Sequence, residues 1–155
     1  MGNGGRRVFE GAAALNLDAK GRMAIPARHR DALLATGEGS LTLTSHPHGC
    51  LLLYPTPVWE PIRDQILRVP SFDPLAASLK RVLVGNARTE ELDSAGRILL
   101  APELRTYARL EKTVYLVGMG SHFEIWSETG WQKQNDLAAE ALSGGLPPGF
   151  GDLVL

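Results

Sequence analysis

Several basic side chains are spaced closely enough to bind an anion together. Lys20 and Arg22 flank a glycine, and Arg28 and Arg30 follow within ten residues. Arginine carries a planar fork that matches the O6 and N7 acceptors of guanine, and lysine is a compact partner for phosphate. By residue type alone, a solvated turn is the favoured interpretation of Lys20 and Arg22, and DNA contact is the alternative. For Arg28 and Arg30, phosphate contact and plain surface charge both remain open.

The basic segment is one of two copies of the same pattern. Residues 17–30 begin Leu-Asp-Ala-Lys-Gly-Arg, residues 92–105 begin Leu-Asp-Ser-Ala-Gly-Arg, and an apolar run and a proline follow in each. Residues 50–54 and 122–126 also correspond, in the same order. A unit of about 50 residues buries too little apolar surface alone. The two copies are therefore expected to share one core, related by a pseudo-twofold axis.

The copies differ in charge. Residues 17–30 hold four Lys or Arg against one Asp, a net +3, whereas residues 92–105 hold two against two acidic residues, a net 0. The whole chain has a net charge of −1, so binding to a polyanion needs a local patch. If one copy meets DNA it is the first, and Arg97 of the second is expected to assist.

The basic residues are positioned by tight turns. An aspartate accepts local backbone hydrogen bonds and a glycine adopts positive φ, so turns are expected at Asp18–Gly21 and Asp93–Gly96. In each copy, strands on both sides of the turn predict a β-hairpin with an exposed tip. Arg22 and Ala24 would face one side of the strand and Met23 and Ile25 the other.

The remaining pattern predicts a mainly β, α+β protein. Strands are expected at 8–17, 22–25, 41–44, 50–54, 87–92, 97–100, 113–118 and 121–126, and helices at 27–36, 57–69, 74–84, 102–110 and 127–142. Thr56, Asp73 and Ser127 are expected at helix starts. Tyr54, Trp59, Trp126 and Trp131 have apolar neighbours and are interpreted as core residues rather than base-stacking platforms.

Other chemistry is poorly supported. Asp18 and Asp93 resemble a catalytic carboxylate pair, but both occupy the same turn pattern, and no nucleophile or polarising group accompanies them. His46-x-His48-x-Cys50 resembles part of a metal site, but Pro47 and Gly49 favour a turn. Gly118-Met119-Gly120 lacks the third glycine of a nucleotide fingerprint. We therefore expect no enzyme activity, no metal and no cofactor.

Composition is that of a soluble globular protein. The chain has 155 residues, 44% hydrophobic, with Cys50 as its one cysteine. A single cysteine allows no internal disulfide, which fits a reducing cytoplasm. No apolar run approaches the roughly 18 residues that a membrane-spanning helix needs. No membrane or small-molecule partner is expected.

The motifs together resemble the MraZ family of bacterial transcriptional regulators. The resemblance starts at Asn16-Leu17-Asp18-x-Lys20-Gly21-Arg22 and continues through residues 50–55, Trp59 and residues 83–87. It includes Asp93-x-x-Gly96-Arg97, residues 117–118 and 123–126, and Trp131. It covers about residues 8–140 without a break. The combination is specific, although Asp-x-x-Gly-Arg alone is not.

The resemblance implies more than the pattern does. It implies two swapped-hairpin units of the AbrB/SpoVT type, folded into one pseudo-twofold double-split β-barrel. It further implies a ring-shaped homo-oligomer that binds tandem direct repeats in double-stranded DNA upstream of the division and cell-wall gene cluster and represses transcription. Such a protein would lie in the cytoplasm, on the nucleoid. The implied DNA-binding residues are Lys20 and Arg22, less strictly Arg28 and Arg30, with Arg97 in the second copy.

The two copies and their flanking residues divide the chain into five segments. Residues 1–7, with Arg6 and Arg7, are a flexible arm or a cloning remnant. Residues 8–59 form the first repeat, 60–86 a helical linker, 87–131 the second repeat, and 132–155 the end of the last helix and a flexible tail. The linker helices are the expected ring contacts. Two alternatives remain: an AbrB-like antitoxin that binds a partner enzyme, and a structural assembly module.

Overall fold

A computed structural model describes residues 8–155, so the arm predicted at residues 1–7 lies outside the described residues. The described chain is mainly β with peripheral helices, an α+β fold. Its strands are β1 (Ala12–Asn16), β2 (Arg22–Ala24), β3 (Ser40–Ser45), β4 (Leu51–Pro55), β5 (Arg88–Glu91), β6 (Arg97–Leu99), β7 (Thr113–Gly118) and β8 (Phe123–Ser127). Its helices are α1 (Ala27–Gly37), α2 (Thr56–Arg68), α3 (Pro74–Lys80), α4 (Pro102–Tyr107) and α5 (Glu128–Ala141), and a π-helical turn, Arg81–Gly85, continues α3.

Six strands form one antiparallel sheet in the order β1-β7-β8-β4-β3-β5. The two copies exchange strands in this sheet. β1 of the first copy pairs with β7 of the second, Ala12 opposite Val117. β5 of the second copy pairs with β3 of the first, Arg88 opposite Leu43. Within residues 8–155 the sheet is open, with β1 and β5 at its edges, and no closed barrel is found.

The predicted simple β-hairpins are wrong. β1 and β2 lie in different sheets, and so do β5 and β6, although a turn joins each pair. β2 pairs instead with β6 in a separate two-stranded ladder, Met23 opposite Ile98. Met23 and Ile98 of this ladder, and Ile25 and Leu100 directly after its strands, are fully buried in the core. Each short strand thus finds its partner in the other copy.

The core lies between the sheet, the ladder and the helices α1 and α4. β4 is buried along its whole length, as its continuous apolar sequence predicts. Tyr54, Trp59 and Trp126 are buried, and Trp131 stacks on Tyr115 with ring centroids 6.0 Å apart. Tyr54, Trp59 and Trp126 therefore pack inside the protein, as expected, whereas Trp131 packs half-buried at the edge of the core.

Several local expectations differ from the structure. The first strand begins at Ala12 rather than at residue 8, because Gly11 has φ +92° and interrupts the extended chain. The adjacent leucines of α1, Leu33 and Leu34, are both expected to face the core, but Leu33 is fully buried whereas Leu34 is 43% exposed. Thr56 does not cap α2 but shares hydroxyl hydrogen bonds with Ser40 and Thr42 of β3.

Two other helix starts have the predicted caps. The Asp73 carboxylate accepts from the Leu75 amide at the start of α3, and the Ser127 hydroxyl accepts from the Gly130 amide at the start of α5. Residues 142–155 after α5 are exposed throughout. None of the described helices is long and apolar enough to cross a membrane.

Candidate nucleic-acid interface

The first turn, residues 18–21, is organised by one aspartate. The Asp18 Oδ1 atom accepts hydrogen bonds from the amides of Lys20 (3.0 Å) and Arg22 (2.9 Å). Its Oδ2 atom accepts from Arg22 Nε at 2.7 Å. The Gly21 amide donates to the Asp18 carbonyl, and Gly21 takes φ +84°. The turn thus fixes both the backbone and the guanidinium of Arg22.

The second turn, residues 93–96, repeats this geometry. Asp93 Oδ1 accepts from the amides of Ala95 and Arg97, each at 2.9 Å, and Oδ2 accepts from Arg97 Nε at 2.9 Å. The Gly96 amide donates to the Asp93 carbonyl, at φ +76°. The second turn differs in charge, because Ala95 stands where the first turn has Lys20.

The two turns lie side by side. Arg22 Nη1 is 4.0 Å from Asp93 Oδ2, and Arg97 Nη1 is 3.8 Å from Asp18 Oδ2. The Ile25 amide donates to the Gly96 carbonyl, and the Leu100 amide donates to the Gly21 carbonyl, both at 3.0 Å. The residue directly after β2 is therefore hydrogen-bonded to the second turn, and the residue directly after β6 is hydrogen-bonded to the first turn. We call residues 18–21 and 93–96 the paired turns.

Hydrogen bonding stabilises the ionised form of both carboxylates. The backbone amide of Arg22 is the main cause that lowers the pKa of Asp18 below its ordinary 3.8, and the Arg22 side chain adds to the effect. The amide of Arg97 does the same to the pKa of Asp93. Both aspartates are therefore ionised at neutral pH and hold the arginine forks in place.

The arginines of the paired turns are partly exposed. The side chains of Arg22 and Arg97 are 27% and 35% exposed. Each donates a hydrogen bond through Nε to the aspartate of its own turn, and its Nη1 also lies within 4.0 Å of the aspartate of the opposite turn. The Nη nitrogens carry the two parallel donors that read guanine O6 and N7, and a base would share Nη1 with that aspartate. Lys20 is exposed in the first turn.

The other predicted contact residues lie outside the tips of the turns. Arg28 is exposed on α1, and its Nε donates to His29 Nε2 at 3.2 Å. Arg30 is half-buried, and its Nε donates to the Ile25 carbonyl at 2.8 Å. Lys20, Arg22 and Arg97 thus lie together, whereas Arg28 stands apart on α1.

Arg105 is a site residue that the sequence analysis missed. It is half-buried, its Nε donates to the Leu100 carbonyl at 2.9 Å, and it packs against Gly21 of the first turn. Its place is the counterpart of Arg30 in the second copy. The signal was present, because a constant offset of 75 residues maps Asp18 onto Asp93, Arg22 onto Arg97 and Arg30 onto Arg105.

The His46-x-His48-x-Cys50 pattern does not form a metal site in the described residues. His46 begins a turn in which its Nδ1 accepts from the His48 amide, and its carbonyl accepts from Tyr107. Cys50 is fully buried, and burial raises the pKa of its thiol to about 12. Among residues 8–155, no group of three or more His, Cys, Asp or Glu is arranged to hold a metal ion.

Comparison with known proteins identifies the family. The family model described as "MraZ protein, putative antitoxin-like" matches residues 8–82 and again 83–144. A protein of Dechloromonas aromatica named transcriptional regulator MraZ is 82% identical over 148 residues, which are 96% of this chain and 100% of that protein. Proteins of the same name from Aromatoleum aromaticum and Azoarcus sp. are 57% and 54% identical over the same shares of the chains. With two matches to one family model and this identity along nearly its whole length, the chain belongs to the MraZ family.

Proposed function

We propose that this protein is a sequence-specific DNA-binding transcriptional repressor and that the paired turns are its reading surface. The names of its relatives support a role in transcriptional regulation. The observation that carries the proposal is the Asp18–Arg22 and Asp93–Arg97 arrangement, which holds two partly exposed arginine forks side by side. No catalytic step and no cofactor are part of this role.

Each basic residue has a distinct task. Arg22 reads a base edge, with Arg97 assisting, because a fork fixed by a carboxylate loses little conformational entropy when it binds guanine. Lys20 and Arg28 hold phosphates, which position the protein without reading sequence. With Arg30 and Arg105 included, residues 17–30 and 92–105 together carry six cations and three carboxylates. A local positive patch therefore exists on a chain with a net charge of −1.

Assembly into a ring raises the affinity for DNA above that of a single chain. A surface with so few contacts binds DNA near the non-specific range of roughly 10⁻⁴ to 10⁻⁶ M at physiological salt. Joining several chains in a ring makes later contacts intramolecular and raises avidity on the order of 10² to 10⁴. Tandem direct repeats upstream of the division and cell-wall genes are the natural target of such a ring.

The linker helices α2 and α3 are the proposed ring contacts. Apolar side chains are exposed around them, with Phe72 96% and Leu75 79% exposed. Leu67, Val69 and Leu79 are also exposed, to 50%, 51% and 43%. An apolar surface of this kind is typical of a protein–protein contact.

The same proposal includes architecture and location. The exchange of β1 and β5 between the copies supports the interpretation as two swapped-hairpin units, residues 8–59 and 87–131, in a pseudo-twofold double-split barrel. Residues 60–86 are then the linker, and residues 132–155 carry the end of α5 and the tail. We place the protein in the cytoplasm, on the nucleoid.

DNA binding measured by fluorescence anisotropy tests this function. The probes are a duplex with the tandem repeats from upstream of the gene, the same duplex with one repeat, and a scrambled duplex. We expect preference for the repeats, weaker binding to one repeat, and affinity that falls with salt. Equal binding to the repeats and the scrambled duplex would refute sequence-specific repression.

A protein-binding, antitoxin-like role is the second candidate. It is favoured by the family description and by the exposed apolar residues of the C-terminal segment, where Val154 is 92% and Leu155 100% exposed. A small toxin gene beside this gene, together with equal affinity for repeats and scrambled DNA, would favour it over the repressor. Division and peptidoglycan genes downstream would favour the repressor.

A further inference from the structure

Each turn glycine is covered by an arginine from the opposite copy. A Cβ atom on Gly21 would lie 2.7 Å from both Cζ and Nε of Arg105. A Cβ atom on Gly96 would lie 2.7 Å from Cζ of Arg30. Real Cβ atoms do not approach other atoms so closely, so the guanidinium groups rest directly on the glycine backbone. Glycine is needed at both positions for this contact as well as for positive φ.

The same arginines are anchored at a second point. Arg105 Nε donates to the Leu100 carbonyl, and the Leu100 amide donates to the carbonyl of Gly21, the residue that Arg105 covers. In the first copy, Arg30 Nε donates to the Ile25 carbonyl, and the Ile25 amide donates to the carbonyl of Gly96, the residue that Arg30 covers. Each arginine therefore ties the strand end of its own copy to the turn of the other.

We propose that Arg30 and Arg105 are positioning residues for DNA reading, each fixing the turn of the opposite copy through guanidinium contact with its glycine. This inference rests on the proposed function. It assigns Arg30 a task different from the phosphate contact that its charge suggests. It also makes the basic first turn depend on a residue of the electrically neutral second segment, because Arg105 covers the turn that carries Lys20 and Arg22.

A positioning residue and a phosphate-binding residue leave different signatures. Removing a phosphate-binding cation weakens binding to all sequences and lowers the salt slope by about 0.9 for each phosphate that is no longer neutralised. Loosening the turn misplaces the Arg22 fork, which lowers the preference for the correct sequence and leaves the salt slope unchanged. A lysine replacement separates the two further, because lysine retains the charge but not the planar group that lies on glycine.

The test uses Arg105→Ala and Arg105→Lys in the full chain, with the exposed Arg109→Ala as the matched control. Affinities for the repeat duplex and the scrambled duplex are measured over a range of salt concentrations. We expect both Arg105 variants to lose preference for the repeats by about tenfold with an unchanged salt slope. Arg109→Ala should keep the preference. In the free protein, hydrogen exchange of the Lys20 and Arg22 amides should accelerate in the Arg105 variants.

Two binding results would overturn the inference. One is full sequence preference in both Arg105 variants. The other is a lower salt slope in Arg105→Ala that Arg105→Lys restores, which would make Arg105 a phosphate-binding residue. If Arg105→Ala does not fold, Arg105→Lys alone decides, since it retains the charge and the hydrocarbon stem. Failure of the wild type to prefer the repeats would instead refute the proposed function, and unchanged amide exchange would still refute the positioning role.

Discussion

Replacing Gly96 with alanine tests the contact between the copies most simply. Gly96 has φ +76°, and Arg30 occupies the space that a Cβ atom would need. Gly49 offers a matched control, because it also has positive φ, +93°, but nothing lies within 4 Å of the position of its Cβ. Gly96→Ala and Gly49→Ala both place alanine at positive φ, but only Gly96→Ala brings the new Cβ atom against Arg30.

The expected magnitudes follow from this difference. Alanine in left-handed backbone costs about 1 kcal/mol at either position. At Gly96 the side chain of Arg30 must also move and lose its hydrogen bond to the Ile25 carbonyl, which for a half-exposed group adds about 1 kcal/mol. Gly49→Ala should therefore lower the free energy of unfolding by about 1 kcal/mol and Gly96→Ala by about 2 kcal/mol. For a chain of this length these are Tm decreases of about 2–4 °C and 4–8 °C.

Thermal and denaturant unfolding of four variants measures the contact. Gly96→Ala is made in the wild type and in Arg30→Ala, and Gly49→Ala is made in the same two backgrounds. The cost of Gly96→Ala should fall to about that of Gly49→Ala once Arg30 is truncated, a coupling of about 1 kcal/mol. The reasoning is refuted if Gly96→Ala costs no more than Gly49→Ala, or if truncating Arg30 leaves its cost unchanged.

Three further predictions concern single side chains. Lys20→Ala should weaken binding to repeat and scrambled duplexes alike and lower the salt slope by about 0.9, and a selective decrease on the repeats would contradict the phosphate role. Because burial raises its pKa to about 12, the Cys50 thiol should resist Ellman's reagent at mildly alkaline pH in the folded protein and react only after denaturation; rapid native reaction would contradict its burial. His29 lies between Phe9 and Phe123, and burial lowers its pKa below 6.5 in the folded state. The unfolded chain then binds more protons below pH 6.5, so the folded state should lose stability as pH falls from 6.5, and His29→Gln should reduce that loss; an equal pH slope in both proteins would contradict it.

Local chemistry made much of the site predictable. The Asp-x-x-Gly-Arg spacing predicts a turn, because an aspartate accepts from amides two and four residues on and a glycine takes positive φ. Apolar alternation places Met23 and Ile25 inside and Arg22 outside. These features depend on neighbours in sequence, so one sequence is enough to find them.

The strands with which β1 and β2 pair were not predictable from neighbouring residues. Adjacency in sequence favours a simple hairpin of β1 and β2, but both strands find partners in the second copy, β7 and β6, far along the chain. Long-range pairing depends on which apolar surfaces the assembled core can bury. Arg105 was missed for a related reason, since it packs against Gly21, a residue of a turn distant in sequence.

The central claim is that the Arg22 fork reads sequence, and one ratio tests it most directly. That ratio compares affinity for the repeat duplex with affinity for the scrambled duplex, in wild type, Arg22→Lys, and the exposed Arg109→Lys as the control. Lysine retains the charge but lacks the two parallel donors. The ratio should be lower by about 5- to 150-fold in Arg22→Lys, the worth of one bidentate base contact, and unchanged in Arg109→Lys. An undiminished ratio in Arg22→Lys would show that the paired turns do not read the DNA sequence through this residue.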